Sequence, residues 1–249
     1  MKILALDSSG LVASAAVVED DILVAEFTMN YKKTHSQTLL PMLEKIREIT
    51  ELDLRTLDAI AVAAGPGSFT GLRIGSATAK GLGLALNCPI IAVPTVDALA
   101  YVLYGNDGLI CPIMDARRGQ VYTGIYEYHK KENPSAEEIR LGQTYEMQIV
   151  RAQCAVAIEE IAQELNGLQK KVTFLGDGVP VFAERLKEIM QVPYSFTPAH
   201  MNRQRAGAVA TLAEIFYREG KVQTAEEHAP DYLRLSQAER ERQEAESRG

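Results

Sequence analysis

The chain opens on Lys2-Ile3-Leu4-Ala5-Leu6-Asp7-Ser8-Ser9-Gly10, and a second stretch, Leu109-Ile110-Cys111-Pro112-Ile113-Met114-Asp115, repeats its logic. Each is a short apolar run that reads as a buried strand and stops at an aspartate. After the first, Val12–Val18 and Ile22–Met29 flank Glu19-Asp20-Asp21 and predict a hairpin. Leu39, Met42, Leu43, Ile46 and Ile49 then recur at helical spacing, with Thr34 or Ser36 as the cap and Pro41 in the first turn or at a kink. Ala59–Ala63 predicts a strand that opens through Gly65-Pro66-Gly67-Ser68-Phe69-Thr70-Gly71 into a helix ending near Leu86. Ile90–Val93 predicts a strand, and Thr95 caps a helix to about Leu103.

After Asp115 the order restarts. Val121–Tyr128 predicts a strand and Lys130–Glu138 a polar loop. A third strand falls between Ile139 and Ile149, and a helix covers about Ala152–Leu165. Val172–Leu175 is a strand opening into Gly176-Asp177-Gly178, and a helix with Pro180 in its first turn follows. The two strand-end aspartates are 108 residues apart and the turn glycines Gly65 and Gly176 are 111 apart. Two landmarks at nearly one offset predict an α/β protein made of duplicated βββαβα halves. The boundaries are 1–105 and 106–235, with a charged tail at 236–249; a helix at 203–218 is left open between packing within the second half and packing back on the first.

Composition narrows the class. The 249 residues are 47% hydrophobic and 24% charged, which suits a globular protein that needs no disulfide or structural metal. Net charge is −7, and neither half is basic, so unaided nucleic-acid binding is disfavoured. Cys88, Cys111 and Cys154 form no CxxC pair and read as free thiols. The first apolar run is too short for a signal peptide and nothing approaches a membrane span, so a cytoplasmic protein is expected.

Three motifs carry chemistry, each with a plain alternative. Asp7-Ser8-Ser9 can hold phosphate or Mg²⁺, or be a tight turn capped by its own aspartate. The Gly65–Gly75 stretch can offer amides to an anion, or let a helix pack closely, and lacks the Lys-Ser/Thr ending of a Walker loop. Gly71, Gly75, Ala79 and Gly83 make a small-residue face that fits either the chain's own sheet or a second chain. The catalytic inventory is thin. His35, His129, His200 and His228 show no HxxxH or HExxH spacing, and no Gly-x-Ser-x-Gly elbow occurs. Arg117 and Arg118 stand where the second half would need a glycine-rich phosphate hairpin. They would bind an anion, or pair with nearby acids, the latter being favoured.

The strings Ala5–Ser9, His35–Pro41, Gly65–Gly75, Met114–Tyr122, Leu175–Gly178 and Pro230–Arg234 resemble the bacterial TsaB (YeaZ-like) family. The resemblance spans about residues 2–235, and Gly65–Gly75 is its most specific part. It implies an actin/hexokinase/Hsp70-type ATPase fold of the ribonuclease H-like kind. It also implies a subunit without catalysis of its own that pairs with a TsaD-like catalytic subunit and a TsaE-like ATPase. That assembly makes N6-threonylcarbamoyladenosine beside the anticodon of ANN-decoding tRNAs, the tRNA being reached through the complex. No cofactor is required of this chain. A weak, vestigial nucleotide site for ATP or ADP with Mg is expected at Asp7, Ser8, Ser9, Gly176, Asp177 and Gly178. Pairing is implied to use the first-half helices, so Leu39, Met42, Leu43, Ile46, Gly71, Gly75, Ala79 and Gly83 are the expected interface, available for a homodimer when the partner is absent. The alternative is an ATPase, small-molecule kinase or M22-like peptidase of the same fold.

Overall fold

The computed structural model describes residues 1–234; the tail expected at 236–249 lies outside them. Two five-stranded mixed sheets carry the architecture. The first contains β1 (Lys2–Asp7), β2 (Ala13–Glu19), β3 (Ile22–Met29), β4 (Ala59–Gly65) and β5 (Ile90–Pro94), in the order β3-β2-β1-β4-β5. The second contains β6 (Leu109–Asp115), β7 (Gln120–Lys130), β8 (Tyr145–Ala157), β9 (Val172–Leu175) and β10 (Tyr194–Phe196), in the order β10-β9-β6-β7-β8. Read from the hairpin side, the two orders are the same. In each sheet the first strand pairs antiparallel with the second and parallel with the fourth. This is the duplicated actin/hexokinase-type arrangement, with a fifth strand in each half; the sequence reading missed the three-residue β10.

The helices follow their apolar stripes. α1 (His35–Thr50) and α2 (Phe69–Leu86) cover one face of the first sheet. α1 buries Leu39, Met42, Leu43 and Ile46, the i, i+3, i+4, i+7 pattern of a helix lying on a sheet. Pro41 sits in its second turn on the solvent side, where water can serve the carbonyl of Gln37 left without a helical bond. Thr34 occupies the N-cap position, but its hydroxyl meets Ser36 rather than a backbone amide. α5 (Ile158–Leu168) and α6 (Val179–Ile189) cover the matching face of the second sheet, with Pro180 in the first turn of α6. α3 (Thr95–Tyr101) and α7 (Ala206–Arg218) fill the space between the sheets in one core that includes Ile3, Ala5, Leu99, Val209, Ile110 and Tyr126. α7 packs on β1, β2 and β5 of the first half.

Three local expectations are corrected. The helix expected from Ala152 begins only at Ile158, because Arg151–Ala157 continue β8 against β7 from Ile125 to Gln120. Alanines at 152, 155 and 157 suggested a helix, but cross-strand pairing outweighs that weak preference. The loop at 130–138 holds the start of α4 (Ala136–Arg140), closed by a capping box between Ser135 and Glu138. Thr95 does not cap α3; its hydroxyl accepts the Gly65 N–H at 3.1 Å, tying β4 to the helix.

Candidate functional site

The expected nucleotide-site and docking motifs of the first half meet each other. The turn after β1 is closed by Asp7, whose Oδ1 accepts the Ser9 N–H at 2.9 Å and the Ser9 hydroxyl at 2.6 Å. The Ser8 hydroxyl donates to the Gly71 carbonyl at 2.8 Å, and the Ser68 N–H donates to the Ser9 carbonyl at 2.7 Å. Ser68 also caps α2, its hydroxyl accepting from the Gly71 N–H. The glycines make this approach possible. A Cβ on Gly67 would stand 2.3 Å from the Ser9 carbonyl oxygen, one on Gly71 2.0 Å from that of Ser8, and one on Gly75 2.6 Å from Ser8 Oγ. Asp7, Ser8 and Ser9 are consequently buried. Burial pushes the Asp7 carboxyl up to about 6, against the opposing pull of the Ser9 donors and His35.

A cleft of about 520 Å³ remains between the halves. One wall is Ser9, Gly10, Ser68, Thr70 and Gly71; the other is Asp115, Ala116, Arg117 and Asp177. Of the six residues expected to form a nucleotide site, Ser9 and Asp177 line it, and the rest do not. Gly176 and Gly178 lie against β6, where a Cβ would meet the Ile113 carbonyl at 2.2 and 2.8 Å. Asp177 accepts the Asp115 N–H, and burial raises its carboxyl above the ordinary range. Arg117 turns back on Asp115 through an ion pair at 3.1 Å and its own N–H at 2.8 Å. Lys32, Lys33 and His35 also edge the cleft, and the His35 Nε2–H donates to the Gly10 carbonyl at 2.8 Å. Their place was not legible in the sequence, because only the fold of β3 into α1 brings them over the Ser9 turn. Among the described residues no cluster of three His, Cys, Asp or Glu could hold a metal ion. A larger groove of about 910 Å³, lined by Tyr101, Tyr104, Met147 and Phe216 between α7 and β8, involves none of these motif residues.

The expected docking residues are corrected by burial. Leu39, Met42, Leu43, Ile46 and Ala79 belong to the chain's own core, each at most 5% exposed. Gly71, Gly75 and Gly83 are buried too, and a Cβ on Gly83 would meet the Cys88 carbonyl at 3.1 Å and Ala225 at 3.3 Å. The small-residue face therefore serves the chain's own packing. Turned outward on the same two helices are Leu40, Ala77, Gly81, Leu84 and Ala85, with Leu40 55% and Leu84 58% exposed.

A second feature escaped the reading of single motifs. The segment after α7 runs back along the first half, where Asp231 and Tyr232 meet Ala64 and Arg73, and Arg234 reaches Ala116 of the second half. The string Pro230–Arg234 marked it in the sequence, but gave no sign of what it touches. No helix among the described residues is long and apolar enough to cross a membrane.

The family model described as TsaD: tRNA N6-adenosine threonylcarbamoyltransferase matches residues 23–242. The tRNA threonylcarbamoyladenosine biosynthesis protein TsaB of Bacillus subtilis (strain 168) is 33% identical over 241 residues, 96% of each chain. TsaB of Escherichia coli (strain K12) is 36% identical over 135 residues, 53% of this chain and 57% of that one. The solved structure of YeaZ from Pseudomonas aeruginosa superposes with a TM-score of 0.75 at 26% identity, covering 93% of this chain and 99% of that one. A likeness that runs nearly end to end in both sequence and structure leaves one assignment: the chain belongs to the TsaB (YeaZ-like) family.

Proposed function

We propose that this protein is a non-catalytic subunit that pairs with a TsaD-like catalytic protein, together with a TsaE-like ATPase, to form N6-threonylcarbamoyladenosine on tRNA. The observation that carries the reading is the mutual docking of the Asp7–Ser9 turn and the Gly65–Gly75 stretch. Groups that would meet a nucleotide phosphate are spent on each other: Asp7 on Ser9, Ser8 on Gly71, and Ser68 on Ser9. Phosphoryl transfer depends on positioned donors and a carboxylate that holds metal, and Asp7, buried and already accepting both Ser9 donors, is not presented to a metal. Any nucleotide taken up in the cleft would meet Ser9, Asp177 and the edge cations, which favours weak ATP or ADP binding over turnover. A net charge of −7 favours a partner as the main holder of tRNA.

The docking surface moves to the outward side of α1 and α2. Leu40 and Leu84 supply apolar anchors there, and Ala77, Gly81 and Ala85 let a second helix come close. Without its partner, the same face would serve an isologous homodimer.

Reconstitution tests the whole reading. Cognate TsaD-like and TsaE-like proteins with tRNA, threonine, bicarbonate and ATP, plus the enzyme that makes the threonylcarbamoyl adenylate, should yield the modified base only when this chain is added. Full activity without it, or ATP turnover by this chain alone, would overturn the proposal. Leu84→Arg should keep its melting temperature and lose capture of the TsaD-like protein; undiminished capture would remove the outward face from the interface.

A further inference from the structure

We infer that the segment Asp231–Arg234 is a latch that fastens the two halves to each other. The halves share a continuous core through α3 and α7 on one side. A two-lobed protein joined in this way opens by hinge motion on the other side unless something ties it there. The segment after α7 adds a tie between the halves that lies outside this core. It leaves α7, pairs with β5 through reciprocal bonds between Gln223 and Ile90, and is held on α2 by Lys80, whose ammonium donates to the carbonyls of Glu226 and His228.

From there it engages both halves. On the first, the Asp231 N–H donates to the Ala64 carbonyl at 2.7 Å. The Asp231 carbonyl lies 2.0 Å from where a Cβ of Gly65 would sit, so the glycine at the end of β4 is what lets the segment lie down. Tyr232 packs on Phe69, ring centroids 4.7 Å apart, while Arg73 stands 3.9 Å over the Phe69 ring and donates to the Tyr232 hydroxyl at 3.3 Å. Two residues on, the chain has changed halves: Arg234 donates to the Ala116 carbonyl at 2.6 Å. Gln153 of β8 adds a second crossing, donating to Asp231 at 3.5 Å and accepting from the Val96 N–H at 3.4 Å. Phe69 adjoins the cleft wall of Ser68 and Thr70, and Ala116 belongs to the opposite wall. A tyrosine anchored on the first half and an arginine on the second thus tie the halves together. The latch also fixes α2, which bears the proposed docking face, against the second half; that consequence rests on the proposed function, and the latch itself does not.

Spin labels at Ile49→Cys on α1 and Lys187→Cys on α6, in a Cys154→Ser background of the full chain, measure the angle between the halves. Electron–electron double resonance should give one narrow distance distribution for the parent. Arg234→Ala and Tyr232→Ala should broaden it and shift it to longer distance, while Tyr232→Phe, which keeps the ring on Phe69, should stay close to the parent. Unchanged distributions in both alanine variants would overturn the latch. So would broadening in Arg234→Ala accompanied by loss of cooperative urea unfolding, since the segment would then be general core. Capture of the TsaD-like protein by the same variants reads the docking consequence separately. If the halves loosen and capture is unchanged, the latch stands and its link to the partner falls.

Discussion

The turn after β1 and the turn after β6 occupy equivalent places in the two halves, yet they have opposite fates. In both, the aspartate accepts the N–H two residues on, but Asp7-Ser8-Ser9 is buried under the glycines of α2. Asp115-Ala116-Arg117-Arg118-Gly119 has no glycine-rich helix over it. Both arginines are exposed and hold left-handed backbone, with φ of 67° and 56°. Duplication supplied one architecture twice, and the residues laid on top decided which turn became structural and which stayed open. A nucleotide-dependent relative of such a fold would need both turns free. Here one is sealed, and the other is occupied by an Arg117–Asp115 pair and the Arg234 contact to Ala116.

The largest test of that comparison is Gly71→Ala. Its methyl would be driven against the Ser8 carbonyl oxygen, and overpacking of backbone on backbone should cost about 3 kcal/mol or more in urea unfolding. The same substitution ten residues on, Gly81→Ala, meets nothing within 4 Å and should stabilise by about 0.5–1 kcal/mol. Equal losses at both sites would show that helix propensity, and not the sealing of the turn, governs α2.

The next effect is pH-dependent. The folded Asp7 carboxyl, at about 6, is less acidic than an unfolded aspartate near ~4. Its ionisation therefore weighs against the fold at neutral pH, and stability owed to this group grows as pH falls from about 6 toward ~4. Asp7→Asn keeps an oxygen for the two Ser9 donors and removes the ionisation. The variant should exceed the parent by about 1–2 kcal/mol at pH 8, with the difference fading toward pH 4. A difference independent of pH would mean that Asp7 is solvated, and the turn not sealed.

The smallest effect belongs to the open turn. Arg118→Gly relieves a left-handed arginine that has no close packing to lose, and should stabilise by about 0.5 kcal/mol. A marked destabilisation would give Arg118 a structural contact and make the two turns more alike than they look.

The helical stripe of α1 shows where reading a sequence stops. Spacing identified Leu39, Met42, Leu43 and Ile46 as one apolar face, but a face that packs on the chain's own sheet and one that packs on a partner have the same period. The same limit applied to Gly71, Gly75 and Gly83. Small residues announce a close approach without saying by what, and the answer was the Ser8 turn and the Cys88–Ile90 segment. β8 illustrates a different limit. Alanine-rich 152–157 carries little local preference, and its state was decided by a neighbour 30 or more residues away in sequence.

By itself the sequence determined the duplicated halves, the strand-end aspartates, the course of most helices and the family, because strand and helix periods, turn residues and specific motifs are local properties of the chain. Tertiary structure alone decided which motif partners which. Whether the Ser8 hydroxyl meets a phosphate or Gly71, whether a glycine face meets a stranger or its own turn, and where Tyr232 and Arg234 come to rest depend on contacts between residues 60 to more than 150 positions apart. Such contacts are fixed only when the packing of both sheets brings their surfaces within hydrogen-bond reach.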